Sequence, residues 1–65
     1  MNEYCVEFSY MKNGRRVHEK DFSCDWRAAD AADGVREFYK DLEGLRIERV
    51  CFNTGTAWEE REFAY

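Results

Sequence analysis

One stretch constrains this chain more than any other: Asp25 to Gly44, DWRAADAADGVREFYKDLEG, the single long helical pattern in the sequence. At about 100° per residue, Ala28, Ala31, Ala32, Val35, Phe38, Tyr39 and Leu42 fall on one side, spaced alternately by three and four. Asp30, Asp33, Glu37 and Asp41 fall opposite, within an arc of roughly 80°. Side chains three or four apart on a helix stand about 5–6 Å from each other, so these carboxylates are expected to form one ridge. Like charges at that spacing cost a few tenths of a kcal/mol per pair, so a ridge of this kind points away from selection for stability alone. Arg27, Arg36 and Lys40 lie on its flanks and offset it in part.

The ends of this stretch read as caps. Ser23 or Asp25 can accept the free N–H groups of the first turn, and Asp25 suits the positive end of the helix dipole. Gly44 is placed to end the helix in a left-handed conformation. Gly34 inside it costs up to about 1 kcal/mol relative to Ala. It lies near the acidic side, where an exposed site tolerates it or a partner approaches closely. Trp26, at the entrance and outside the apolar arc, either packs over the first turn or stands exposed as an anchor, a residue type enriched at binding hot spots.

Sixty-five residues make one domain, residues 1–65. So short a chain buries only about 60% of its unfolded surface. Its eleven aromatic residues compensate, since each can bury roughly 150–250 Å². No run of about 18 apolar residues offers a membrane span. The start, MNEYCVEF, lacks the basic region and apolar run of a signal peptide, and the expected location is the cytoplasm of the host cell. The odd set Cys5, Cys24 and Cys51 reads as free thiols in a reducing compartment. A zinc site from these three and His18 can be written down, but without the two-to-four-residue ligand spacing no metal is expected.

The net charge of −4 is unevenly placed. Residues 1–24 carry four acids and four bases, residues 25–44 six acids and three bases, and residues 45–65 four acids and three bases. The helical stretch therefore holds −3 of the −4.

Around it, the chain reads as strands. Glu3 to Met11 alternates cleanly, with Tyr4, Val6, Phe8 and Tyr10 on one side. Asn13-Gly14 is a strong hairpin signal, and a second strand follows from Arg16 to Ser23. Two registers compete. A two-residue turn pairs Glu7 with Lys20 and leaves Phe22 on the outer face opposite Cys5. A three-residue turn with a glycine bulge sets Phe22 opposite Tyr4 on the apolar face. The bulge is expected, because burying Phe is worth about 1.5–3 kcal/mol and an exposed ion pair at most about 1. Leu45 to Phe52 reads as a third strand whose apolar set shifts near Arg49, the mark of a bulge or twist. Asn53 to Thr56 is a turn signal, and Ala57 to Phe63 a fourth strand. It pairs either Glu48 with Arg61 and Arg49 with Glu60, or Val50 with Trp58. Glu59 and Glu60, with Glu62, form a second acidic cluster.

The expected fold is α+β: an antiparallel sheet of about four strands in the order β-β-α-β-β, one helix packed on one face. The uncovered face leaves room for a homodimer or a docked partner. No phosphate-binding loop, metal-ligand spacing or nucleophile–base pair is legible, so an enzyme, a cofactor and a small-molecule substrate are not expected. His18 sits among charges with no serine or cysteine beside it in sequence. Two binding modes remain. Lys12, Arg15 and Arg16 at the first hairpin tip could enter a nucleic-acid groove. Against that, a pI near 4.9 and the acidic helix oppose a basic binding face. The acidic ridge instead approximates the spacing of backbone phosphates, and would compete with nucleic acid for a basic groove on a protein partner.

In size, charge and element order the chain resembles the small acidic inhibitors of phages and mobile elements, of which the anti-CRISPR proteins are the leading example. The residues that carry the resemblance are Asp30, Asp33, Glu37 and Asp41; apart from it, Glu59, Glu60 and Trp26 are read as further partner contacts, with solvent-facing charge that blunts a sheet edge as the other reading of the two glutamates. The resemblance implies binding to a CRISPR effector subunit and exclusion of target DNA, in the manner of a DNA mimic. Ten basic residues are many for a pure mimic, which leaves a steric, mixed-charge contact as the other version.

Overall fold

Asn13 and Gly14 both adopt positive φ, 52° and 76°, the conformation of a two-residue type I′ turn. That turn sets the register of everything before the helix. In the computed structural model, which describes residues 2–53 and 58–59, β1 (Asn2–Lys12) and β2 (Arg15–Asp25) pair without interruption from Lys12–Arg15 to Asn2–Asp25. The expected bulge is absent. Glu7 faces Lys20 and Phe22 faces Cys5, which leaves Phe22 exposed on the outer face. The inner positions of β2 explain why this register wins. Asp21 accepts the Tyr39 hydroxyl at 2.8 Å, and Glu19 accepts that of Tyr10. An unbroken ladder plus two tyrosine partners outweighs the burial of one Phe.

The helix is shorter than its pattern. α1 spans Ala28–Phe38, against the expected Asp25 to Gly44. β2 runs on through Asp25, so that residue is strand, and Ser23 donates to the Asp25 carboxylate rather than capping the helix. Arg27 occupies the cap position without a side-chain cap bond. At the other end Tyr39 leaves helical geometry (φ −107°, ψ 21°). Tyr39 and Leu42 pack against the core, whereas Phe38, expected inside but at the edge of the apolar arc, is 79% exposed. Gly44 is left-handed as expected (φ +63°), but it closes a turn beyond the helix.

β3 (Arg46–Asn53) pairs antiparallel with the other side of β1. The ladder shifts between Glu7–Arg49 and Phe8–Ile47, so Glu48 is the extra residue of a bulge, as the apolar shift near Arg49 suggests. Three long strands thus form an antiparallel sheet with β1 in the middle and one helix on one face. Beyond β3, Trp58–Glu59 pair alongside it, Phe52 opposite Glu59 and Asn53 opposite Trp58. This is neither of the two expected registers. The rest of the expected fourth strand and its turn lie outside the described residues.

The core lies between helix and sheet. Tyr4, Val6 and Phe8 of β1, Val50 of β3 and Ala28, Ala31, Ala32 and Val35 of α1 form one buried cluster. The alanines let the helix sit close to the aromatic row. Phe8 packs on Tyr39 with ring centres 4.6 Å apart, and Tyr4 meets Phe52 edge-on at 5.6 Å.

Candidate functional site

Because α1 spends its small residues on the sheet, its opposite side is free to carry charge. Asp30, Asp33 and Glu37 stand on that solvent side, and three basic neighbours are brought against them. Arg27 reaches Asp30 at 3.4 Å, Arg36 reaches Asp33 at 2.7 Å, and Lys40 reaches Glu37 at 3.3 Å, each three residues apart. Asp41 lies past the end of the helix, in the turn before β3. The expected ridge of four carboxylates on one helix is corrected in extent, since three are on the helix, and the flanking bases expected to offset it in part each stand beside one of them. The physical reason is the one that makes such ridges costly, since opposite charges at this spacing attract as like charges repel. Three bases match the three helix carboxylates, and Asp41 adds one negative charge from the turn beyond the helix.

These pairs are open to water, with Asp33 and Glu37 side chains 71% and 77% exposed. Exposed pairs of this kind are worth about 0–1 kcal/mol each, so a partner can rearrange them at small cost. Two large aromatic side chains frame the charged surface. Trp26, just before the helix, is 71% exposed, and Phe38 closes its last turn. An 11-residue helix is about 16 Å long, so the aromatics mark the two ends of a short surface with carboxylates between. Of the two roles read for Trp26, packing over the first turn is not the one it takes.

The hairpin tip is less cohesive than its sequence. Lys12 and Arg15 are exposed beside the turn. Arg16 is drawn inward, where Nη1 donates to Ser9 Oγ at 2.9 Å and to the Gly44 carbonyl at 3.1 Å. Of the second acidic cluster, Glu59 lies opposite Phe52 and Glu60 lies outside the described residues.

The outer face of the sheet gathers polar residues that sequence reading did not join. Ser9 lies directly opposite His18, contrary to the impression that no hydroxyl neighbours this histidine. The signal was available: with a two-residue turn, facing positions sum to 27, as 12 and 15 do. Ser9 Oγ donates to Glu48 Oε1 while accepting from Arg16, and this bond holds the Glu48 carboxyl below its usual range. Ser9 is fully buried, and its hydroxyl is engaged by both Glu48 and Arg16. A hollow of about 110 Å³ lies beside it, lined by Glu7, Phe8, His18, Glu19, Lys20 and Glu48, well below the size of ordinary ligand pockets. Among the described residues no three His, Cys, Asp or Glu side chains converge as metal ligands, and no helix is long and apolar enough to cross a membrane. Compared with known families, curated proteins and solved structures, the chain matches none.

Proposed function

We propose that this chain is a non-catalytic protein-binding module, an inhibitor of the anti-CRISPR type that seats its helix on a basic nucleic-acid-binding groove and keeps target DNA out. One observation carries the reading: a helix surface of exposed carboxylates framed by bare Trp26 and Phe38. Large aromatics exposed in a chain this short sacrifice burial it can ill spare. Trp in particular dominates binding surfaces once a partner covers it. Carboxylates between the anchors steer the approach to a positive groove and are weakened by salt. The near balance of acids and bases favours the mixed-charge contact over pure phosphate mimicry. The sheet serves as a rigid back, and the reading takes it as the full β-β-α-β-β arrangement, with the segment after Asn53 completing the fourth strand. The contact excludes a membrane and needs no cofactor.

The test is a gel shift of target DNA by an assembled RNA-guided surveillance complex. Wild-type protein is expected to abolish the shift. Trp26→Ala with Phe38→Ala, and separately Asp30→Lys with Glu37→Lys, are expected to restore it while each variant melts within a few degrees of wild type. Full inhibition by both pairs of substitutions would remove the helix as the contact.

A further inference from the structure

The outer sheet face holds two sulfurs that the proposed contact does not use. Cys5 and Cys51 are directly opposite each other on β1 and β3. Both are buried, yet neither belongs to the core cluster beneath the helix. Odd positions of β1 point away from the helix, so the pair sits on the far side of the sheet with Glu7 and Ser9. Glu7 fixes the direction of one sulfur. Its carboxylate is held by Arg49 at 2.7 Å, and Cys51 Sγ lies 3.7 Å from Glu7 Oε2, donating to it. Glu7 is two residues from Cys5 on the same side of the same strand, so Cys51 leans toward β1.

The ladder also sets the spacing. The Lys12–Arg15 pair that closes the turn bonds β1 to β2 through even positions of β1, and leaves odd positions bonded to β3. The Phe22 amide agrees, since it points out of the ladder and is met by its neighbour Asp21 at 2.8 Å. Cys5 and Cys51 are therefore a hydrogen-bonded pair, about 5.5 Å apart at Cα. Their Cβ atoms then lie toward the wide end of the roughly 4.5–5.5 Å range. That Cα separation lies within the range of a disulfide, but the Cβ separation is wider than the roughly 3.5–4.5 Å that a disulfide holds, so a direct S–S bond would draw the two Cβ atoms together. One atom bonded to both sulfurs at about 2.3 Å with a near-tetrahedral angle holds them about 3.8 Å apart. That separation is shorter than the spacing of the two Cβ atoms by no more than about 2 Å, within the reach of two side chains that lean toward each other.

We propose that Cys5 and Cys51 form a two-thiol site for a single thiophilic atom, a trivalent metalloid or a soft metal ion. Burial pushes the Cys5 thiol up, so it waits as the neutral S–H, and a trivalent arsenical accepts it in that form. With phenylarsine oxide the balance is simple: two As–S bonds form, the arsenic–oxygen bond breaks, and both thiol protons leave with that oxygen as water. No electron is transferred and no oxidant is needed. Exposed Cys24 of β2 faces Glu3 of β1 and is outside the pair.

The experiment treats folded Cys24→Ser protein with phenylarsine oxide in excess glutathione and reads it by native mass spectrometry. One adduct per chain is expected, stable to glutathione, released by a small dithiol, and accompanied by a higher melting temperature because the bridge ties β1 to β3. Cys5→Ser and Cys51→Ser in the same background, each shown folded by circular dichroism, are expected to lose the glutathione-stable adduct. No adduct on the folded Cys24→Ser protein, or an equally stable one after loss of Cys5, would overturn the site. Neither result bears on the helix contact.

Discussion

At the scale of single residues, tyrosines at the rim of the core pack their rings inward and satisfy their hydroxyls on carboxylates of β2. Tyr39 buries its ring against Phe8 and hands its hydroxyl to Asp21. Tyr10 stacks on the same Phe8 and uses Glu19. The hydrogen bond to Asp21 raises the Tyr39 phenol, with burial adding to it. A phenol whose folded value is raised contributes stability that is fully present below its unfolded value, about pH 10, and is lost as pH climbs through the folded value. Tyr39→Phe is therefore expected to cost about 1 kcal/mol at neutral pH, the scale of one hydrogen bond at a half-exposed site. The same variant should also lose less stability than wild type between pH 9 and 11. Urea denaturation at both pH values measures this, and parallel losses in the two proteins would contradict the assigned partner.

At the scale of elements, the connections decide more than the strands do. The α1–β3 connection is fastened to the first hairpin by two bonds: Met11 N–H donates to the Glu43 carbonyl at 2.7 Å, and Arg16 to that of Gly44. Gly44 combines φ +63° with close neighbours, since a Cβ there would meet Met11 Cγ at 3.0 Å and Arg16 Nη2 at 3.4 Å. Gly14 has a similar φ, +76°, but open space around it. Left-handed backbone costs an L-residue about 1–2 kcal/mol at either site. Gly44→Ala must also shift the Met11 and Arg16 side chains by a few tenths of an ångström, so it is expected to exceed Gly14→Ala by about 1 kcal/mol. In a domain of this size that separates the two melting temperatures by about 4–8 °C. Equal melts would mean the connection is not held as described. These same connections mark where sequence reading ended. Alternation in β1, the Asn-Gly turn, the helix and the bulge near Arg49 were all legible, because each leaves a period or a break in one. The register of β2 was not, because weighing Phe22 alone omitted Asp21 and Glu19, whose tyrosine partners arrive from other elements. The helix end was not, because the apolar stripe runs on through Leu42 and gives no sign that Tyr39 unwinds.

At the scale of the molecule, the remaining issue is what the charge is for. The angular pattern placed Asp30, Asp33 and Glu37 on the solvent side and Arg27, Arg36 and Lys40 on their flanks, but angle alone could not show that each base would pair with one acid. Taking away those bases tests the point. Arg27→Ala, Arg36→Ala and Lys40→Ala together move the net charge from −4 to −7, one unit for each cation removed. The ion pairs they break are exposed, at about 0.3–0.5 kcal/mol each, so the variant is expected to stay folded at room temperature. If a positive groove is the partner surface, the unmasked carboxylates attract it more strongly. Inhibition of DNA binding by the surveillance complex is then expected at lower protein concentration than wild type needs, and its loss with added salt becomes steeper. Trp26→Ala in the same background separates steering from anchoring, because it should lengthen no encounter but hasten release. A triple variant that inhibits less well than wild type would assign the contact to the cations and aromatics, and would leave Asp30, Asp33 and Glu37 only the solvation of the helix.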